Sequence, residues 1–157
     1  MRFPRNHLSS LIGGVALAAA AGASAAPPAL DACFADAESR YGVSAPLLKA
    51  IARVESGMNP AAVSPANKDG SHDIGLMQIN SSWLPQLERE YSITRDALLD
   101  DPCLNASVGA WILAHNYRLY GWDWRAIGAY NAGTASDREE LRRKYAQRVY
   151  AALETER

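Results

Sequence analysis

The chain has 157 residues, 48% of them hydrophobic and 21% charged, with 11 Gly and 8 Pro. That is the composition of an ordinary globular chain with a single core, and it excludes a disordered tail or a collagen-like repeat. Lys plus Arg number 16 against 17 Asp plus Glu, a net charge of −1, so there is no positive excess to release counterions from a polyanion and nucleic acid is not expected as a partner.

The first 25 residues stand apart. Arg2, Arg5 and His7 precede an uncharged run from Leu8 to Gly22 built on Leu11, Ile12, Val15 and Leu17. Ala23-Ser24-Ala25 then supplies a small-x-small cleavage site, so residues 1–25 read as a secretory signal peptide and residues 26–157 as the mature domain, starting at Ala26. The run is shorter than the ~20 apolar residues a bilayer requires, so no stable membrane anchor is expected. Export also bears on the two cysteines, Cys33 and Cys103, which are expected to form a disulfide in an oxidising compartment. Removing Arg2 and Arg5 with the leader shifts the net charge from −1 to −3.

Beyond the leader the apolar spacing is helical nearly throughout. Leu30, Phe34, Ala37 and Tyr41 form one stripe that Gly42 ends. Ser44 can cap a second helix with Pro46 in its first turn and Leu47, Leu48, Ile51 and Val54 inward, stopping at Gly57. The stretch from Gly57 to Asp73 is a long loop in which Asp69-Gly70 can turn a small hairpin. Helical spacing resumes with Leu76 and Ile79, then a segment capped by Ser82 and another from Thr94 to Leu99. A long helix carries Leu104, Val108, Trp111, Ile112, His115 and Leu119 inward and closes at Gly121. Asp123 caps a short helix, and Asp137 with Glu140 starts a last one whose inner face is Leu141, Tyr145, Val149 and Leu153. The expected fold is mainly α, a single compact helical domain with a long loop or small hairpin after the second helix.

Glu55 breaks the pattern of its own helix. It lies four residues after Ile51 and seven after Leu48, so it projects from the apolar face, where an ionised carboxylate is costly without a partner. The negative end of the helix adds to that cost, and both effects raise the pKa. A carboxyl kept protonated near neutral pH is what a general acid requires. The structural alternative, a helix-end Glu leaning into solvent or pairing with Arg53, stays open at this point.

Other constellations are missing. The sequence has no Gly-x-Ser-x-Gly elbow, no phosphate-binding Gly-rich loop with Lys and no His-Glu-x-x-His. The mature part holds only His72 and His115; neither metal nor cofactor is expected. His115 reads as a core histidine and His72 as a loop residue. Trp83, Trp111, Trp122, Trp124 and Tyr130 are many aromatics for so small a domain, and flat rings suit the apolar faces of sugars. For Trp83 and Trp111, which follow helical stripes, core packing is the favoured reading.

Four motifs in order, Glu55-Ser56, Gly75-Leu76-Met77-Gln78-Ile79-Asn80, Ala129-Tyr130-Asn131-Ala132-Gly133, and Tyr145 with Val149, resemble the catalytic domain of the soluble lytic transglycosylase family over residues 30 to 153. With its small size and Cys33/Cys103, the chain looks most like the specialised members that accompany type III, type IV or conjugation machineries in Gram-negative bacteria. The resemblance implies a lysozyme-like fold and cleavage of the β-1,4 bond between N-acetylmuramic acid and N-acetylglucosamine in peptidoglycan. It implies that Glu55 is the catalytic acid/base, protonating the glycosidic oxygen and then accepting the proton of the muramic acid 6-hydroxyl, to give a 1,6-anhydro product. Substrate binding would fall to Ser56, Gly75, Leu76, Met77, Gln78, Tyr130, Asn131 and Tyr145, with Gly75 to Gln78 as floor and Tyr145 holding Glu55 or the N-acetyl group.

Two positions depart from that pattern. Thr134-Ala135-Ser136 follows Gly133 where the family often has Pro. Asp73, 18 residues after Glu55, resembles the second carboxylate of animal-type lysozymes, and a hydrolytic muramidase using Glu55 and Asp73 is the alternative activity. The favoured role for Asp73 is bracing the hairpin loop. A non-catalytic wall-binding subunit is the alternative of a different class. The expected setting is the periplasm of a Gram-negative bacterium. Peptidoglycan glycan strands are the expected partner, a secretion or conjugation apparatus protein a further one by analogy, and the protein is expected to be a monomer.

Overall fold

The computed structural model describes residues 29–155, so the leader and the mature start at Ala26 lie outside the described residues. Seven helices and one short strand pair follow in order: α1 Leu30–Tyr41, α2 Ala45–Ser56, β1 Asp73–Ile74, β2 Ile79–Asn80, α3 Leu84–Tyr91, α4 Arg95–Asp100, α5 Pro102–Tyr120, α6 Trp124–Ala132 and α7 Glu139–Glu154. The long helix α5 is the axis. Helices α1 and α6 pack on it, and α7 packs on both α6 and α2. Phe34, Leu48, Ile51, Leu113 and Val149 meet between them with no solvent exposure, each burial stabilising the fold by roughly 1.5–3 kcal/mol.

Two close approaches set the frame. Cys33 on α1 and Cys103 in the first turn of α5 form a disulfide, with Cα atoms 4.6 Å apart. On α6, Gly128 has no room for a side chain, because a Cβ there would lie 2.4 Å from the Arg142 carbonyl oxygen. Glycine thus lets α6 and α7 touch backbone to backbone, and α7 in turn reaches α2.

The helix boundaries read from sequence agree closely for α1, α2, α4 and α5, and Asp101, Thr94 and Asp123 cap their helices through side-chain oxygens. Other details differ. Ser44 occupies the N-cap of α2 but its side chain makes no cap bond; Glu38 supplies the acceptor instead, taking the Ala45 N–H at 3.0 Å. Leu76 and Ile79 are buried in the turn and second strand of a hairpin rather than on a helix, and Asn80, not Ser82, caps the 3₁₀ turn that follows. Asp69-Gly70 does sit in a turn, closed by Gly70 N–H to Asn67 O and Asn67 N–H to Ser71 O, flanked by a single bridge, Val63 to Ile74. The inner faces of α5 and α7 are rotated from expectation. Leu119 and Leu141 are exposed, whereas Asn105, Asn116 and Arg142 are buried. The last helix starts from a 3₁₀ turn, Ser136–Arg138, without a side-chain cap from Asp137.

Candidate active site

Glu55 is the next-to-last residue of α2, which ends at Gly57 in the left-handed conformation, φ +62°. Its neighbour Ser56 ties that end to the hairpin: Ser56 Oγ lies 2.7 Å from Leu76 O and 3.1 Å from Ala52 O. The hairpin is anchored to α5 by Asn105, fully buried, which accepts the Met77 N–H at 2.8 Å and donates to Ile74 O and Leu98 O at 3.0 Å each. Gly75 lies directly against that amide. Its φ is +75°, and a Cβ would fall 2.2 Å from Asn105 Nδ2, so both conformation and space demand glycine. Gln78, at φ +49°, folds its amide back onto Gly75 O and Ala62 O at 2.9 and 3.2 Å. From α6, Tyr130 donates to Met77 O at 2.9 Å. Three helices thus fix one turn.

A cleft of about 790 Å³ opens between the hairpin and α6. Glu55, Asp73, Gln78 and Asn80 line one side, His115 and Asn116 of α5 contribute to the wall, and Tyr130 and Asn131 end it. The lining is rich in amides, hydroxyls and charges, suited to a ligand with many hydroxyl groups.

Tyr145 comes from α7, almost completely buried, and donates its phenol to Glu55 Oε1 at 2.5 Å. Burial holds the Glu55 carboxyl above the ordinary range; hydrogen bonds from Tyr145 and Asn131 and the positive field of Arg148 oppose this, while the charge of Asp73 adds to it. The upward balance favours the neutral acid. Burial and the helix end are the causes expected from sequence; the charge of Asp73 is a further upward push. Burial and the charge of Glu55 raise the Tyr145 phenol well above its usual value, so it stays a donor. Asp73 is differently placed. Asn80 Nδ2 reaches its Oδ1 at 2.8 Å, and Asn67 Nδ2 and Ser64 Oγ reach its Oδ2 at 3.2 and 3.3 Å. Both oxygens of this carboxylate are thus engaged by side chains of the hairpin and the loop before it. One cleft therefore holds a buried carboxyl kept toward its neutral form and a second carboxylate hydrogen-bonded at both oxygens.

Residues 32–152 match the family model described as "Transglycosylase SLT domain". The chain belongs to this family. The family is that of the peptidoglycan lytic transglycosylases, and the chain is an enzyme of that class. It is 44% identical over 118 residues to Invasion protein IagB of Salmonella typhimurium, covering 75% of this chain and 72% of that one. Protein IpgF of Shigella flexneri is 42% identical over 118 residues, covering 75% and 76%. A Peptidoglycan-binding-like protein of Escherichia coli O157:H7 is 38% identical over 127 residues, covering 78% and 76%. Among solved structures, an inactive mutant of the lytic transglycosylase Slt from Pseudomonas aeruginosa superposes with a TM-score of 0.60 at 23% identity, covering 78% of this chain and 23% of that longer one. That likeness establishes the lysozyme-like fold.

The SLT domain brings Glu55, Gln78, Tyr130, Asn131 and Tyr145 to one place, the first four on the cleft wall and Tyr145 behind Glu55. Gly75 to Gln78 are expected from sequence as cleft floor, but Leu76 and Met77 are fully buried and only Gln78 of these four lines the cleft. The first three shape the wall from behind. His115 is a correction: it lines the cleft with its ring edge-on to Trp83, 6.4 Å away, rather than sitting in the core. Trp83 lines the cleft too and rests edge-on against Trp111 at 5.4 Å. Trp122 and Trp124 do not line the cleft; Trp122 stacks on Tyr117 at 4.2 Å and Trp124 lies under Arg125.

Sequence reasoning missed Arg142. Its buried guanidinium donates to Gly133 O and Ala135 O at 2.9 Å each and pairs with Glu139 at 3.0 Å. Arg138 adds a bond to Ala132 O at 3.2 Å. The Thr134-Ala135-Ser136 stretch, without proline, is thereby held by side chains grasping its carbonyls. A buried arginine in the run Glu139 to Lys144 gives no sequence signal, since such a run reads as a wet helix face.

Proposed function

We propose that this SLT-domain enzyme cleaves the MurNAc-β-1,4-GlcNAc bond with formation of 1,6-anhydro-MurNAc, and that Glu55 is both acid and base. The observation that carries the reading is the Glu55 carboxyl, buried beside Tyr145 and held toward its neutral form, on a cleft whose neighbouring carboxylate, Asp73, is occupied by three donors. Neutral Glu55 protonates the glycosidic oxygen as the bond to the anomeric carbon breaks. The resulting carboxylate, stabilised by the Tyr145 hydroxyl, accepts the proton of the 6-hydroxyl as that oxygen attacks the anomeric carbon. No water is consumed, and a tethered hydroxyl needs no second carboxylate because its effective concentration is already high. Gln78, Tyr130 and Asn131 border the scissile sugar, while Ser56, Gly75, Leu76 and Met77 fix the turn behind it.

Among the described residues no helix is long and apolar enough to cross a membrane. With the leader in residues 1–25, we place the enzyme in the periplasm, opening the wall locally for an envelope-spanning machine; likeness to an invasion protein supports this setting. The test is Glu55→Gln on purified peptidoglycan, expected to lower turnover about 100- to 10,000-fold. Fragments released by the unaltered enzyme should be lighter by one water than those of a muramidase. Near-normal turnover by the variant would remove Glu55 from the mechanism, and reducing-end muramic acid would make Asp73 catalytic.

A further inference from the structure

Trp122 is 76% exposed, an unusual setting for the largest apolar side chain, and the turn around it holds it there. Gly121, in the left-handed region at φ +70°, ends α5, and the Asp123 N–H closes onto Gly121 O at 2.9 Å, which leaves Trp122 at the tip of a three-residue turn. One face of its ring is covered by Tyr117, with centroids 4.2 Å apart and planes 24° from parallel. The exposure belongs to the other face. Tyr150 of α7, 43% exposed, borders the pair. Burial and the nearby Tyr150 push the Tyr117 phenol up to about 12, and burial and the charge of Asp123 push Tyr150 up as well, so both phenols keep their protons and can donate hydrogen bonds. Asp123 is itself balanced by Arg125 at 3.5 Å, which makes that side of the rim polar rather than anionic.

This face is separate from the cleft. On α5 the cleft is lined by Ile112, His115, Asn116 and Leu119, and Tyr117 stands two residues from both His115 and Leu119, a rotation of about 200° that turns it to the other side of the helix. Leu141, the exposed leucine of α7, likewise precedes Tyr150 by two and a half turns and points away from it. The exposed apolar groups on this face are therefore rings without a leucine beside them. A matching occupant needs a flat apolar face framed by hydrogen-bonding groups, and no net charge of its own. A pyranose ring meets those terms, its C–H bonds forming the face and its hydroxyls the edge. We propose that Trp122, with Tyr117 beneath it and Tyr150 at its edge, is a second glycan site that holds a sugar of one peptidoglycan strand while the cleft acts on another. The inference rests on the glycan-cleaving reading and adds to it an anchor outside the cleft.

The test separates anchoring from turnover. In a Glu55→Gln background, co-sedimentation with purified sacculi should show Trp122→Ala retained about three- to tenfold more weakly, the size of one lost ring stack, and Trp122→Tyr, which keeps a flat ring, close to the parent. A peptide-free glycan tetrasaccharide at millimolar concentration should move the Trp122 indole signal in a nitrogen-15 NMR spectrum, the signal being assigned by its loss in Trp122→Ala. With Glu55 restored, Trp122→Ala should cut the same tetrasaccharide at the parent rate, because Trp122 is not part of the cleft. Unchanged retention of Trp122→Ala, or an indole signal that the tetrasaccharide does not move, overturns the second site while cleavage by the parent leaves the glycan reading intact. Self-association of the parent in the ultracentrifuge that Trp122→Ala abolishes reassigns the face to a second copy of the chain. A parent that cuts neither sacculi nor tetrasaccharide overturns the glycan reading and this site with it.

Discussion

Removing one oxygen atom, in Tyr145→Phe, probes how the fold tunes its acid. The Tyr145 hydroxyl lies 2.5 Å from Glu55 Oε1, and its ring is 3% exposed, so phenylalanine keeps the packing between α2 and α7 and deletes only the bond. A hydrogen bond to a charged group is worth about 1.5–3 kcal/mol, against about 1 kcal/mol to a neutral one. The hydroxyl therefore favours the ionised carboxyl and opposes the upward push of burial. Two consequences separate in a pH–rate profile on soluble glycan. The alkaline limb of kcat/KM, which reports loss of the proton from Glu55 in free enzyme, should move to higher pH. At the optimum kcat should fall about 2- to 30-fold, because the carboxylate formed after bond cleavage loses about 0.5–2 kcal/mol more stabilisation than the neutral acid does. A limb that stays in place or moves to lower pH, in a variant with unchanged melting temperature, would refute the electrostatic account.

Glu55→Gln should be more stable than the parent at neutral and alkaline pH. The Glu55 pKa is raised on folding, so its contribution is full below the unfolded value and lost as pH rises through the folded one, a loss glutamine avoids; a melting temperature that falls at neutral pH contradicts this. Gly75→Ala should cost about 3–5 kcal/mol in urea unfolding, combining left-handed strain with displacement of the Asn105 amide 2.2 Å from the new Cβ. An unchanged midpoint would mean the hairpin tolerates a shift. Cys33→Ser with Cys103→Ser should lose about 4 kcal/mol, the chain entropy of a loop whose ends are 70 residues apart, and thiol labelling of the unreduced, unfolded parent should find none; two labelled thiols contradict the pairing.

Legibility followed the physics of each element. Helices with one wet and one dry face, such as α1 and α2, announce both boundaries and orientation through their apolar spacing, and Glu55 stood out because it broke that spacing. Helix α5 is buried on most sides, from Ala106 and Val108 through Leu113 to Asn116, so no stripe could fix its rotation. Strands of two residues are too short to carry a period. The residues that hold the cleft together are polar groups buried against backbone carbonyls outside their own helices, Asn105 against Ile74 O and Leu98 O, Arg142 against Gly133 O and Ala135 O. Their partners exist only after folding, and local sequence cannot announce them. Gly75 was legible only as part of a motif; its reason, the Asn105 amide, lies thirty residues further along the chain.

Asp73 decides between the two chemistries the cleft could perform. A retaining hydrolase needs its second carboxylate about 5–5.5 Å from the acid, free to attack the anomeric carbon. Asp73 shares the cleft with Glu55, yet both its oxygens are held by the side chains of Ser64, Asn67 and Asn80. An attacking oxygen must leave such donors, and the hairpin must then lose its brace. In Asp73→Asn one oxygen becomes an amide NH₂ that faces either Asn80 Nδ2 or the Asn67 and Ser64 donors, so one side of the brace fails at a cost of about 1–3 kcal/mol. Turnover should therefore drop, by about tenfold or less if half that cost reaches the transition state, while 1,6-anhydro ends remain the product. Loss of the Asp73 charge also removes an upward push on Glu55, so the alkaline limb should move to lower pH, opposite to Tyr145→Phe. Mass spectrometry of the fragments and the direction of that limb are independent readouts. Reducing-end muramic acid from the parent, together with complete loss of turnover in Asp73→Asn with an intact fold, would assign the attack to Asp73 and make the enzyme a muramidase.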